Sequence, residues 1–475
     1  MAKLYFVPDK LYSTDDPALR AIAKKQTLAR WRHEGRGPTY IKAGRHVLYL
    51  GKDLNEWLAE RSISYHESPP GQHERLGTMP EHDLMGTFPP EGDAQVTLEN
   101  WRTPPHNRWA FQHVSELVPS AQIWRGRERA RELQRAPEDL STISFVDHKG
   151  ADTTLGAFLD STSTDGVCVL RRGAIITEQY RNGLEDWRPH ILMSISKSIT
   201  ALVIGILVGR GLLDPSRGIA AIIPEVKGSA FAECTLQHML DMTVGVDFTE
   251  DYLAAEGPIT EYREVSGWKP PSDPGRPGDL RSWLTTLRAQ GSHGHAFHYV
   301  SPTTDVLGWV IERVTATTFA EAVSELLWQP MGAEFDGYVT VDRFGAPRAA
   351  GGVCLALRDL ARVGLMMLEN GVANGRQVVP FSWVADTRFN HDRQAWANGE
   401  GAAANPSGGY RNKWWIMGDE HGCYTGIGVY GQYLWIDPVA SLVIAKFASQ
   451  PLPTDENVDL DTARCFQAVG RALAG

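Results

Sequence analysis

Hydrophobic positions along the chain change their period several times, and each change predicts an element. Near the start, KKQTLARWRHEG (residues 24–35) sets Leu28 and Trp31 three apart among Lys25, Gln26, Arg30 and Arg32. That spacing predicts a short helix with one apolar face, closed by a glycine. A shorter helix is expected just before it, starting at Pro17 and running to about Ala23. TYIKAGRHVLYL (39–50) alternates like a two-strand ribbon turning at Ala43-Gly44. GKDLNEWLAERS then reads as an amphipathic helix. From Ser64 to Gln95 no period holds, and Pro, Gly, His and charged residues crowd together as in an extended connector.

Beyond about residue 140 the pattern mixes both periods. GVCVLRRGAIITEQY (166–180) predicts two strands turning at Arg171-Arg172-Gly173. Ile199 to Val208 is apolar on every side, yet is roughly half the length needed to span a bilayer. It reads as a core helix. TLQHMLDMTVGVDF (235–248) predicts a helix ending at a glycine, and residues 249–277 look irregular. Helices are expected over about 279–288, after Ser301, in GGVCLALRDLARVGLMMLENG (351–371) and over about 459–473. GVYGQYLWIDP and ASLVIAKFAS predict two late strands. Strands flanking an all-helical middle suggest an α+β body with one antiparallel sheet and a helical insert. The domains expected are 1–63, a connector over 64–95, and a body over 96–475.

Composition narrows the class. An apolar share of 42% and a charged share of 22% are those of a globular protein. The start, MAKLYFVPDK, carries no apolar signal segment, and no membrane partner is expected. Five scattered cysteines without a C-x-x-C pair suit a reducing cytoplasm. The net charge of −10 hides an asymmetry: residues 1–63 hold 12 Lys and Arg against 7 Asp and Glu. A basic head on an acidic body suggests two modules with different partners.

The candidate chemistry begins at Ser194-Ile195-Ser196-Lys197, the S-x-x-K spacing of serine acyl-transfer enzymes. Alone it is weak, because 25 Ser and 12 Lys supply about 0.6 copies by chance at ordinary usage. A second copy, Ser266 to Lys269, does occur, but in a Pro-rich stretch. Ser194 instead opens the apolar helix, where i and i+3 share a face and the Lys197 amine can reach the Ser194 hydroxyl. Burial of that helix would desolvate Lys197 and push it toward a neutral base. The helix start would favour negative charge at the serine. Tyr299 stands 105 residues downstream. Held as phenolate, or sharing a proton with the lysine, it is a second candidate base. Ser301 is a candidate to orient substrate or Lys197. TGIGVYGQYLWIDP looks like a Gly-rich edge strand against which a substrate could lie. Asp305 reads as a first-turn helix acid rather than a catalytic group. His293, His295 and His298 lack an accompanying acidic cluster, so no metal is expected. No G-x-S-x-G elbow or phosphate loop is present, and no cofactor is expected.

Two resemblances extend this reading. TLARWRHEGRGPTYIKAGRHVLYLGKDLNEWL resembles the small winged helix-turn-helix of excisionase-type and MerR-like DNA-binding proteins. That likeness implies Lys25, Gln26, Thr27 and Arg30 near a major groove and Arg45 on phosphate. Residues from about 96 onward resemble the penicillin-recognising serine hydrolases. They are most like the branch of class C β-lactamases, family VIII carboxylesterases and 6-aminohexanoate-dimer (nylon-oligomer) hydrolases. The likeness rests on PPHNRWAFQHVSELVPSA, LMSISKSITALVIG, FHYVSPTTDVLGWVIERVT, GGVCLALRDLARVGLMML and GIGVYGQYLWIDP. It implies a β-lactamase/penicillin-binding-protein-like fold, Ser194 as nucleophile, and Lys197 with Tyr299 as base system. It also implies an oxyanion hole from the N–H groups of Ser194 and Val429, and Tyr252 meeting a leaving amine.

Departures from the pattern are informative. Gly426-Ile427-Gly428 stands where β-lactamases carry Lys-Thr-Gly, so the cation that grips a β-lactam carboxylate is missing there. Tyr430 replaces an expected histidine. Arg263, in the loop after Tyr252, would repel a substrate ammonium. The expected function is a serine hydrolase of small-molecule esters or linear amides. The alternative is a DNA-binding regulator that uses a retired hydrolase domain as a small-molecule sensor. Oligomeric state is not legible; a homodimer is one candidate.

Overall fold

In the basic head the alternating segment forms its ribbon: Ile41–Ala43 pairs antiparallel with His46–Leu50 around Gly44, whose φ is +61°. The computed structural model describes residues 6–14, 16–20, 28, 32, 37–44, 46–59, 84–275 and 278–474. A third strand, Leu11–Ser13, pairs with the far side of His46–Leu50, and the helix Gly51–Ala59 follows the ribbon directly. Phe6, Tyr12, Leu19, Leu28, Tyr49 and Leu54 form the core of this unit. Leu28 and Arg32 are helical. Lys25, Gln26, Thr27, Arg30 and Arg45, the expected DNA contacts, lie outside the described residues.

The chain divides into two units, Met1–Thr78 and Met79–Gly475. Within the second, Leu84 and Val96 are buried beside Trp101 and Phe111, and Ala94 is buried as well. The connector expected over 64–95 therefore ends before Leu84. Local polarity suggested a free segment, but its few apolar side chains found a core to join.

In the larger unit the expected α+β body is present, with two large sheets and two two-stranded ones among the described residues where one sheet was expected. Eight strands form the main sheet, in the order 409–411, 414–416, 424–428, 432–437, 442–448, 164–171, 174–180 and 134–135. All neighbours are antiparallel except the last pair. The hairpin at Arg172-Gly173 holds as predicted, both residues having positive φ. One face of the sheet is covered by the terminal helix Glu456–Leu473, through Cys465, Phe466 and Val469. The other face packs on the helices Ile195–Gly209 and Leu357–Leu368. A second antiparallel sheet joins 190–191, 353–355, 337–340 and 120–123. It takes the front of GGVCLALRDLARVGLMMLENG as a strand, so the helix expected there starts only at Leu357.

Between Ile191 and Gly337 the described chain is helical or irregular, as the insert predicted. Two local readings need correction. The helix in TLQHMLDMTVGVDF stops at Leu240, ahead of Met242 at φ +55°, well before the glycine. The stretch 249–277 contains the helix Pro258–Val265, started by Gly257 and Pro258. Among the described residues no helix is long and apolar enough to cross a membrane.

Candidate active site

The helix Ile195–Gly209 is buried on every side from Ile195 through Leu207, because its sequence offers no polar stripe to solvent. Its first turn carries the candidate pair. Lys197 Nζ lies 2.7 Å from Ser194 Oγ and donates to the Ala350 carbonyl at 2.8 Å. Burial of Lys197 dominates its electrostatics and pulls its pKa down to about 7, with Glu250 opposing the shift and Arg348 adding to it. The amine is thus poised near its midpoint at neutral pH. The second S-x-x-K makes no such pair. Lys269 turns to Glu264 at 3.0 Å, and Ser266 Oγ donates to the Arg263 carbonyl at 3.3 Å.

Ser194 is only partly buried and follows Met193, whose φ of +48° is a strained value for a side chain of that size. The strand Tyr424–Gly428 closes over this turn. Added to Gly428, a Cβ would stand 2.5 Å from the Leu192 carbonyl, so only glycine allows the approach. This strand is not at the sheet edge, as its glycines suggested. However, Trp414–Ile416 pairs only with Tyr424 and Thr425, which leaves Gly426–Gly428 open on that side. The N–H groups of Ser194 and Val429 donate to no acceptor among the described residues. Two unengaged N–H groups are what an oxyanion would need as donors.

The ring centre of Tyr299 lies 5.0 Å from Lys197 Nζ, and its hydroxyl is close enough to Ser194 to interact with it. The ring stacks on Trp415 and meets Tyr410 edge-on. Burial and then Glu250 push the phenol above its ordinary pKa, against the weaker pull of Ser194. The direction of that shift favours the phenol over the phenolate considered from sequence.

Sequence reasoning missed Glu250. It accepts the Tyr252 hydroxyl and the Ser301 N–H, so it ties two expected substrate residues together. With its hydroxyl proton donated to Glu250, the Tyr252 oxygen is left as an acceptor. Ser301 does not hold Lys197, whose partners are Ser194 and Ala350.

Asp305 is a first-turn helix acid, as read, but it does more than complement a dipole. Fully buried, it pairs with Arg348 at 2.7 Å, accepts the Tyr262 hydroxyl, and takes the Ala350 N–H at 2.8 Å. The Ala350 carbonyl is the one that holds Lys197. A second buried lysine was also missed. Lys413, in the hairpin turn after Arg411, donates to Thr303 Oγ1 at 2.9 Å. Burial and then the charge of Lys197 hold its pKa well below the ordinary value.

Arg263 is not in a loop but on the helix Pro258–Val265, where it donates to the Tyr252 carbonyl at 2.8 Å. With Arg102, Ser301, Val429 and Tyr430 it lines a small cleft. Arg102 carried no sequence signal, since it lies 92 residues before Ser194 in a segment without periodicity.

Comparison with known proteins agrees with this geometry. The Beta-lactamase family model matches residues 151–468, more than half of the chain. The 6-aminohexanoate-dimer hydrolase of Paenarthrobacter ureafaciens is 37% identical over 389 residues, covering 80% of this chain and 97% of that protein. Esterase EstB of Burkholderia gladioli is 30% identical over 162 residues, 33% of this chain and 40% of that one. A solved Bacillus anthracis structure with the provisional name 6-aminohexanoate-dimer hydrolase superposes with a TM-score of 0.73 at 28% identity. It covers 80% of this chain and 97% of its own. On fold, motif order and sequence identity together, the chain belongs to the beta-lactamase family and is a serine hydrolase.

Proposed function

We propose that the protein cleaves carboxylic esters or linear amides of small molecules through a Ser194 acyl-enzyme, with Lys197 as the base. The observation that carries this is the 2.7 Å contact between Ser194 Oγ and a buried lysine whose pKa is lowered to about 7. Neutral Lys197 takes the Ser194 proton as Oγ attacks the scissile carbonyl. The developing oxyanion is met by the N–H groups of Ser194 and Val429, each worth roughly 3–4 kcal/mol in enzymes where such a donor was removed. Tyr299 gives its proton to the departing alcohol or amine and is reprotonated by the Lys197 ammonium. A water activated by the same pair then releases the acid. For an amide, the Tyr252 oxygen, freed by Glu250, accepts the scissile N–H. The ester and amide classes follow the names of the relatives, one an esterase and one a hydrolase of a 6-aminohexanoate dimer.

The test is a stopped-flow assay with p-nitrophenyl hexanoate. A burst of p-nitrophenol equal to the enzyme present is expected, followed by slower turnover. The pH profile supplies a second expected result. Below its pKa Lys197 is an ammonium and cannot accept a proton, so kcat/KM should fall about tenfold per unit below about pH 7 and level off above it. A rate flat from pH 5 to pH 9 would remove Lys197 as the base.

A further inference from the structure

The cleft lined by Met193, the residue before Ser194, carries more positive charge than its own acids neutralise. Arg348 is satisfied by Asp305 at 2.7 Å. Arg102 and Arg263 form no ion pair with any described residue. Arg263 is held only by the Tyr252 carbonyl, and Arg102 Nε is buried without a hydrogen-bond partner. Glu250 is the single carboxylate lining the cleft, and its oxygens are taken by Tyr252 and Ser301. Two guanidinium groups against one engaged carboxylate leave one positive charge uncompensated. Burial, followed by the like charge of Arg263, lowers the Arg102 pKa to about 10, the signature of a cation short of a counter-charge.

The rest of the wall is apolar or aromatic: Met193, Ile259, Trp268 and Tyr430. Such a wall suits a methylene chain, and a pair of guanidinium forks suits a carboxylate at its end. Tyr299, the proton donor to the leaving group, is not part of this wall and lies against Trp415 and Tyr410. The leaving group is placed on the Tyr299 side, with Tyr252, which does line the cleft, meeting only the scissile nitrogen of an amide, and the acyl part on the arginine side.

We infer that the acyl part of the substrate is an aliphatic chain ending in a carboxylate, bound by Arg102 and Arg263. The inference rests on the acyl-enzyme reading given above and adds the charge class of its substrate. A monoanion there brings the cleft to neutrality, whereas an ammonium would face two guanidinium groups.

Three p-nitrophenyl esters of matched length test it: the mono-adipate, the hexanoate and the 6-aminohexanoate. The wild-type protein should show kcat/KM for the adipate at least about tenfold above the hexanoate. The 6-aminohexanoate should be the poorest of the three. Added salt should shrink the adipate preference. Arg263→Met and Arg102→Met should each reduce the adipate-to-hexanoate ratio, and Arg263→Asp should invert the order of adipate and 6-aminohexanoate. Because each readout is a ratio within one protein, a variant of lower overall activity still reports. Should a variant not fold, the wild-type order alone decides. Equal rates for the three esters, or preference for the 6-aminohexanoate, would overturn the inference while leaving the burst, and hence the acyl-enzyme reading, standing. 3-Carboxyphenyl hexanoate and its methyl ester complete the set. If Arg263→Met changes their ratio and not the adipate ratio, the assignment of the carboxylate to the acyl part is overturned.

Discussion

Ser194→Ala should eliminate both the burst and steady-state turnover of p-nitrophenyl hexanoate, lowering kcat by about 10⁴-fold or more, as loss of a serine nucleophile does elsewhere. The fold should survive. Ser194 occupies the position before the helix but caps nothing with its side chain, so its removal costs the helix no cap bond. Its loss leaves Lys197 with the Ala350 carbonyl as partner and Tyr299 without the Ser194 contact. A change in unfolding midpoint beyond that of an ordinary surface substitution, about 0.5 kcal/mol, is not expected. Circular dichroism and denaturant unfolding check the fold, and stopped-flow absorbance checks the chemistry. Wild-type turnover in a folded Ser194→Ala protein would sink the mechanism.

Asp305→Ala should produce the largest loss of stability, about 3–5 kcal/mol, because it strands the buried Arg348 guanidinium. Urea unfolding measures it. The same substitution removes the acceptor of the Ala350 N–H, so the carbonyl that holds Lys197 loses its anchor. Asp305 is a positioning residue, and its readout beyond stability is the pH midpoint of kcat/KM, which should move when Lys197 is no longer held. Arg348→Met combined with Asp305→Ala should recover part of the stability, since both charges are then gone. A loss below about 1 kcal/mol in Asp305→Ala would show that the pair does not support this part of the core.

The comparison of pattern with structure is instructive residue by residue. Ser194 and Lys197 were legible because three residues on a helix is a fixed geometry, and because an apolar helix must be buried. Tyr299 and Val429 were named through family resemblance; Tyr299 lies with its ring 5.0 Å from Lys197 Nζ, and Val429 lines the cleft with Met193. Arg263 was named for its charge but given the wrong backbone, because Pro, Gly and Trp around it masked the helix Pro258–Val265. Tyr299 was weighed as a phenolate because only its nearness to a cation was in view. Its burial and Glu250 shift it the other way, toward the phenol. Glu250, Arg102 and Lys413 were not found at all. Each reaches the site from a turn or an irregular segment, where no period links a residue to a face. The DNA-directed residues of the head stand outside the described chain.

What the sequence by itself determined is local: the amphipathic and alternating segments, the buried serine helix, the i,i+3 pair at its start and the order of the motifs. Local geometry is set by backbone periodicity, and periodicity is written in the chain. What only the tertiary structure decided is charge. Whether Lys197 is an amine, whether Tyr299 keeps its proton and whether Arg102 and Arg263 lack counter-ions depend on burial and on neighbours far along the chain. Those distances are created by folding, and in a low-dielectric site electrostatic energy depends strongly on them.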